Sequence, residues 1–247
     1  MLGAIYGIER ILGTDHTPVR ELFDYAYDHF LKDRPILFVQ TVCTADGAGI
    51  HTHGLFIGEG RDTFEAAVAL AQEKNVTFVP TGIRRCVSYL DPREFRSTWV
   101  GNKGLYRVRR AMADGGELTI LAPGVQTFGE DPEIDRLIRK YGYCGRANVL
   151  EKLKDPACDD LRAMQGTAAH LIHGSVDGRF RVTWAVPKNM MAGIEAVGFG
   201  AMDIDEALAK YDPEKLRDGY QTLPDGEEVY FIHNPALGLW INRETYA

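Results

Sequence analysis

A chain of 247 residues, 45% of them hydrophobic and 26% charged, is long enough to close a full core as one large domain. Its formal net charge of −7 excludes a protein that tracks phosphate backbones, so no nucleic-acid partner is expected. No apolar run approaches the roughly 20 residues of a membrane-spanning helix, and "MLGAIYGIERILGTDH" has neither the apolar length nor the basic leader of a secretory signal.

In chain order, "VRELFDYAYDHFLKD" (19–33) spaces Leu22, Phe23, Tyr25, Ala26 and Phe30 along one helical face, after the favourable helix start Thr17-Pro18. "PILFVQTVCT" reads as a continuous apolar strand. A turn over Ala45–Gly49 and the returning strand "IHTHGLFIGEG" follow it. "DTFEAAVALAQEKN" is an amphipathic helix opened by Asp62 or Thr63, with Glu65 in its first turn. Strand candidates "VTFVPT" and "RCVSYL" come next. A loop of small and polar residues then opens onto a helix whose first turn carries Asn102 and Lys103, and which ends in Gly115-Gly116 before the strand "ELTILAPG". Beyond it lie the helix "DPEIDRLIRKYG", with proline at its first position and glycine at its end, and a single helix over "DDLRAMQGTAAHLIHG". The strand "RFRVTWAVP", the capped helix "DIDEALAKY" and the strand "GEEVYFIHNP" complete the series. Strands alternating with helices predict an α/β fold: a mostly parallel, Rossmann-like sheet with helices on both faces. It carries an N-terminal strand–hairpin–helix element, and residues 1–80 form a candidate subdomain of one domain over 1–247.

In such folds ligands bind beyond the carboxyl ends of the strands, here segments 91–104, 123–131, 185–192 and 233–239. Free N–H groups at the start of the helix at 102 would favour an anion, with Lys103 adding a charge and Asn102 a donor and an acceptor. The bland alternative is that Asn102 caps the helix and Lys103 is solvated. Two histidine pairs share a face, His51/His53 on a strand and His170/His173 on a helix. Either offers two metal ligands, but no local carboxylate or cysteine completes a site. The cysteines Cys43, Cys86, Cys144 and Cys158 form no C-x-x-C pair and read as reduced thiols of a cytoplasmic protein. Dinucleotide, P-loop and G-x-S-x-G signatures are absent.

Several stretches, taken in order, resemble the C-terminal domain of the nickel-dependent lactate racemase family, whose relatives also epimerise sugar acids. "PILFVQTVCTADGAGIHTHGLFIGEGRDTFEAAVALA" is similar to that family's strand–hairpin–helix, with Phe56-Ile57-Gly58-Glu59 standing where it has an F-x-G-D turn. "NKGLYRVRRAMADGGELTILAPGVQTFGED" is similar to its lysine-bearing helix, glycine pair and strand, and "VGFGAMDIDEALAKY" to a late GF…EAL segment. The resemblance implies racemisation or epimerisation at C2 of a 2-hydroxy acid by hydride removal and return, on a nickel held by a modified pyridinium mononucleotide. It places Lys103 against the carboxylate or 2-oxygen of the substrate.

Departures from the pattern accompany it. Val100 stands where the family has a glutamine, so Asn102 or Trp99 is the candidate substitute. The helix at 160–171 offers Asp160, Arg162 and Gln165 where an aromatic is expected, which would suit a longer, hydroxylated or doubly charged acid. The family's acid–base histidines, cofactor-tethering lysine and nickel-ligating histidine belong to an N-terminal catalytic domain with no counterpart here. The chain is therefore expected to be the substrate-side part of a longer or two-part enzyme, inactive and without the nickel cofactor by itself. An apolar face left by the missing half could drive homo-oligomerisation. The alternatives are a non-catalytic anion-binding or interaction module, and a hydrolase with a metal at His51/His53.

Overall fold

The computed structural model describes residues 1–46 and 49–246; of the turn expected over Ala45–Gly49, Gly47 and Ala48 lie outside the described residues. The chain opens with α1 (Leu2–Tyr6) and α2 (Pro18–Ala26), the latter started by Thr17, whose side chain accepts from the Arg20 N–H at 3.1 Å. The helix runs on as a wider turn over Tyr27–Leu31. Strands β1 (Phe38–Asp46) and β2 (Gly49–Gly58) then pair antiparallel, and α3 (Arg61–Asn75) packs on them. Gly60 precedes α3, so the helix begins ahead of the Asp62 or Thr63 expected to open it.

From here the chain builds a second sheet. β3 (Val76–Val79) leads to β4 (Ile83–Tyr89), the short helices α4 (Thr98–Gly101) and α5 (Lys103–Tyr106), and β5 (Met112–Leu121). Helices α6 (Pro132–Tyr141), α7 (Arg146–Lys152), α8 (Asp159–Ala163) and α9 (Gln165–His173) come before β6 (Arg181–Val186). The one helix expected over 159–174 is thus two, broken at Met164 (φ −109°, ψ 61°). Then follow α10 (Lys188–Ala196), β7 (Gly200–Asp203), α11 (Ile204–Lys210), β8 (Gly219–Thr222), β9 (Glu228–Ile232) and β10 (Leu239–Asn242).

The main sheet has the order β7-β6-β5-β4-β9-β8, parallel throughout except for the edge strand β8. β4 through β7 advance in one direction, and the chain then crosses back to lay β9 on the other side of β4. The reversal of strand order therefore falls between β4 and β9. One face of the sheet, with Cys86, Ile120 and Trp184, is buried under residues of α5 to α10. The other, with Val87, Leu121 and Phe231, is covered by Ile204 and Ala207 of α11 with Tyr211 and Leu223. This is the α/β architecture expected, with helices on both faces but unequally shared. Among the described residues no helix is long and apolar enough to cross a membrane.

β3 belongs to neither of these sheets; it pairs in parallel with β10, Leu239 opposite Val76. The beginning of the chain is fastened by Arg109, only 2% exposed. Its guanidinium donates to the His173 carbonyl at 2.9 Å and pairs with Glu9 at 2.5 Å. All four cysteines are free.

Candidate functional site around Trp99 and Lys103

The helical stretch after β4 starts earlier than its sequence suggests. Ser97 caps it, its hydroxyl accepting from the Val100 N–H at 3.2 Å, so Asn102 and Lys103 lie a full turn inside. The first amides are already used: Thr98 N–H donates to the Thr127 carbonyl at 3.0 Å and Trp99 N–H to that of Phe128 at 2.9 Å. The helix start thus offers no free N–H groups to an anion, which corrects the expectation drawn from spacing. Its far end differs as well. β5 begins at Met112 and takes in Gly115-Gly116, where the pairing with β4 shifts register between Ile83 and Arg85.

Two glycines explain why this stretch reads as a loop yet folds as a helix. A Cβ on Gly101 would come within 3.1 Å of the Trp184 ring, and one on Gly104 within 3.0 Å of Ser88 Oγ. They let the helix lie directly on β4 and β6. With that side turned to the sheet, the 3.6-residue period puts Trp99 and Lys103, four apart, together on the opposite side, and Asn102 on the flank.

The flank meets α9. The Trp99 indole stacks on the His170 imidazole, centroids 4.1 Å apart and planes 28° from parallel. His170 Nε2 lies 2.9 Å from the Tyr143 hydroxyl and 3.2 Å from Asn102 Nδ2. The Tyr143 hydroxyl is also 3.2 Å from Thr98 Oγ1, which donates to the Phe128 carbonyl at 3.0 Å. Burial, with a smaller contribution from His173, drives the His170 pKa down to about 3, and burial pushes the Tyr143 phenol up. A neutral imidazole accepting at Nε2 suits both neighbours, each of which can donate. Asn102 is buried, and its Oδ1 has no hydrogen-bond partner among the described residues.

Lys103 is half-buried, and among the described residues its amine has no hydrogen bond or ion pair. The structure thus brings Trp99 and Asn102 together on His170, with Lys103 one turn beyond Trp99. Arg162 is on α8, exposed and paired with Asp159, and Gln165 is exposed at the opening of α9. Asp160 is held by the Tyr141 hydroxyl at 2.5 Å and by Lys140 and Arg136, each at 2.9 Å, and these bonds keep its carboxyl far below the ordinary range. Nothing in the sequence singles out Tyr143, and His170 stands out there only as half of a histidine pair. No local pattern announces a tyrosine that reaches a histidine across three helices.

Among the described residues neither histidine pair belongs to a group of three metal-ligating side chains. The sole group of three metal-ligating side chains among the described residues is Asp15, His16 and Glu65, and Arg61 ion-pairs with both of those carboxylates. His53 Nε2 instead meets Thr44 Oγ1 at 2.8 Å. The half-buried Cys144 thiol is pushed up by its burial, the opposite of an activated nucleophile.

No protein-family model and no curated protein sequence matches this chain. Solved structures do match by fold, among them the following two. A Thermotoga maritima protein from a structural genomics consortium is 24% identical, with a TM-score of 0.72 over 96% of this chain and 56% of its own. The lactate racemase apoprotein from Thermoanaerobacterium thermosaccharolyticum is 12% identical, with a TM-score of 0.63 over 92% of this chain and 50% of its own. The chain has a lactate-racemase-like fold and spans about half the length of these two proteins.

Proposed function

We propose that this chain is the substrate-side part of a 2-hydroxy acid racemase or epimerase of the nickel-pincer type, acting with a companion part that carries the cofactor. The observation that carries this reading is Lys103: a half-buried ammonium with no acceptor among the described residues, one helical turn from the Trp99–His170 stack. It stands on the helix that follows β4, beside the reversal of strand order where α/β sheets hold ligands. The likeness of fold to a lactate racemase supports the same assignment.

The residues around Lys103 do not fit as holders of nickel. His170 Nε2 is taken up by Tyr143 and Asn102, and no group of three metal ligands lies there among the described residues. In this reading the pincer nucleotide is held by the companion. Lys103 binds the substrate carboxylate or 2-oxygen and stabilises the 2-oxo form by its fixed charge. Trp99 forms an apolar wall, and the neutral His170 with Asn102 and Tyr143 holds the indole in place. Gln165 and Arg162 reach the hydroxyls or second charge of a sugar acid, Arg162 by leaving Asp159.

The test is chiral chromatography of lactate, malate, gluconate and mannonate incubated with the chain and its cofactor-bearing companion. Lys103→Ala is expected to lower turnover about 10²–10³-fold, the scale of losing one electrostatic stabiliser, with an unchanged melting temperature. An unaltered rate removes Lys103 from the site. Carboxylate binding that depends on Lys103 but is accompanied by no turnover would favour the non-catalytic module instead.

A further inference from the structure

The β1–β2 hairpin is a sheet of two strands with an uncovered face. Val42 is buried and stands opposite Gly54, where a Cβ would meet Leu70 of α3, so this side of the hairpin lies under α3. Side chains alternate along a strand, so the cross-strand pairs Val39–Ile57 and Thr41–Leu55 point the other way. Val39 is 61% exposed, Leu55 59% and Ile57 55%. Register then shifts: Val42 pairs with Gly54 but Cys43 with Thr52, leaving His53 as the extra residue of a bulge. The bulge resets the alternation, so Cys43 and Thr52 join the same face, their side chains 3.5 Å apart, and Ile50, 78% exposed, extends it. An uncharged stripe is thus kept on one side of the hairpin by Val39, Thr41, Cys43, Ile50, Thr52, Leu55 and Ile57. Soluble proteins break such faces with charges or cover them.

Among the described residues β1 pairs only with β2, so the outer edge of each strand has no strand beside it, the Cys43 carbonyl accepting instead from Asn75 Nδ2 at 2.9 Å. Two strands by themselves are marginal in water. At the base of the hairpin Tyr27 packs on Phe38 and donates to the Glu59 carbonyl at 2.7 Å, while Phe23 and Phe30 of the same helical stretch stay exposed.

We infer that this face and one edge of β1–β2 are the seat of the companion body, a sheet-bearing domain whose strands continue the hairpin's sheet, covalently joined to this chain or separate. What identifies the occupant is length. The chain aligns over 96% and 92% of itself, yet fills only 56% and 50% of the two solved chains, which therefore hold a further body of nearly equal size. A second copy of this chain would leave that body without a seat on the hairpin. The assignment deepens the companion part of the proposed function. Its test reads contact rather than turnover, so the two can fail separately.

The experiment compares hydrogen exchange in the isolated 247-residue chain with that in the protein purified, without denaturation, from its source. In the native form, edge amides of β1 or β2 are expected to exchange at least tenfold more slowly, and native mass spectrometry should show about twice the mass of the chain. Val39→Asp with Ile57→Asp should abolish that protection and, where the bodies are separate chains, release the companion. Both side chains already face solvent in the isolated chain, so its melting temperature should not move. Equal exchange in both forms, a native mass no greater than the chain's, or a homodimer of the isolated chain with the same amides protected would each overturn the inference. If the double variant fails to fold, the exchange comparison on unaltered protein decides alone.

Discussion

The residues before Val76 and those after it use similar apolar strands to different ends. In the body Leu118, Ile120 and Trp184 are 1% exposed or less; in the N-terminal lobe Val39, Leu55 and Ile57 are more than half exposed. Both regions have regular backbones, capped helices and paired strands. What separates them is cover: β4, β5 and β6 have neighbours on both edges and helices on both faces, whereas β1 and β2 have α3 on one face only. An apolar strand is a core strand only if the rest of the chain brings something to lay on it.

The largest effect should come from emptying the body's core. Ile120→Ala is expected to cost about 2–5 kcal/mol in urea denaturation, against less than about 0.5 kcal/mol for Ile57→Ala in the lobe. Equal costs would break the comparison. Next is a pH effect confined to the body. The folded chain holds His170 neutral down to about pH 3, while the unfolded chain protonates it below its ordinary 6.5. The stability tied to this residue is complete above 6.5 and is lost as pH falls through that window, by about 1.4 kcal/mol per unit. His170→Asn should flatten the stability profile between pH 6 and pH 4 by roughly that slope, measured against the unaltered chain. The smallest effect sharpens the contrast. Thr17→Ala in the lobe and Asp131→Ala in the body each remove a helix cap and should each cost about 1 kcal/mol, because local structure is alike in the two regions. A lobe cap worth nothing would mean that the lobe is less ordered than its hydrogen bonds imply.

Much of the fold is legible because its signals are local. Pro18 and Pro132 open helices, Asp203 caps α11, and the spacing of "RCVSYL", "ELTIL" and "RFRVTWAV" marks three strands of one parallel sheet. What was not legible has tertiary causes. Gly101 and Gly104 make "STWVGNKG" look like a loop, yet they are there because Trp184 and Ser88 leave no room for a side chain. β7 and β8, four residues each, are too short to announce themselves. At the candidate site, Lys103, Trp99 and Asn102 stand out by position and resemblance, but their link to His170 and Tyr143 joins segments forty and seventy residues apart, roughly, and no spacing rule spans that distance.

The parallel pairing of β10 with β3 has a consequence for how the molecule is made. Val76–Val79 leaves the ribosome about 160 residues ahead of its partner Leu239–Asn242. Closing so long a loop carries a high entropic cost and cannot begin before Leu239 emerges. Until then the lobe is tethered to the body without its final clasp and with its uncharged stripe bare, so nascent chains are most prone to stick to one another during that interval. Slower translation of the stretch between Val79 and Leu239 would lengthen it, and the soluble yield should fall accordingly.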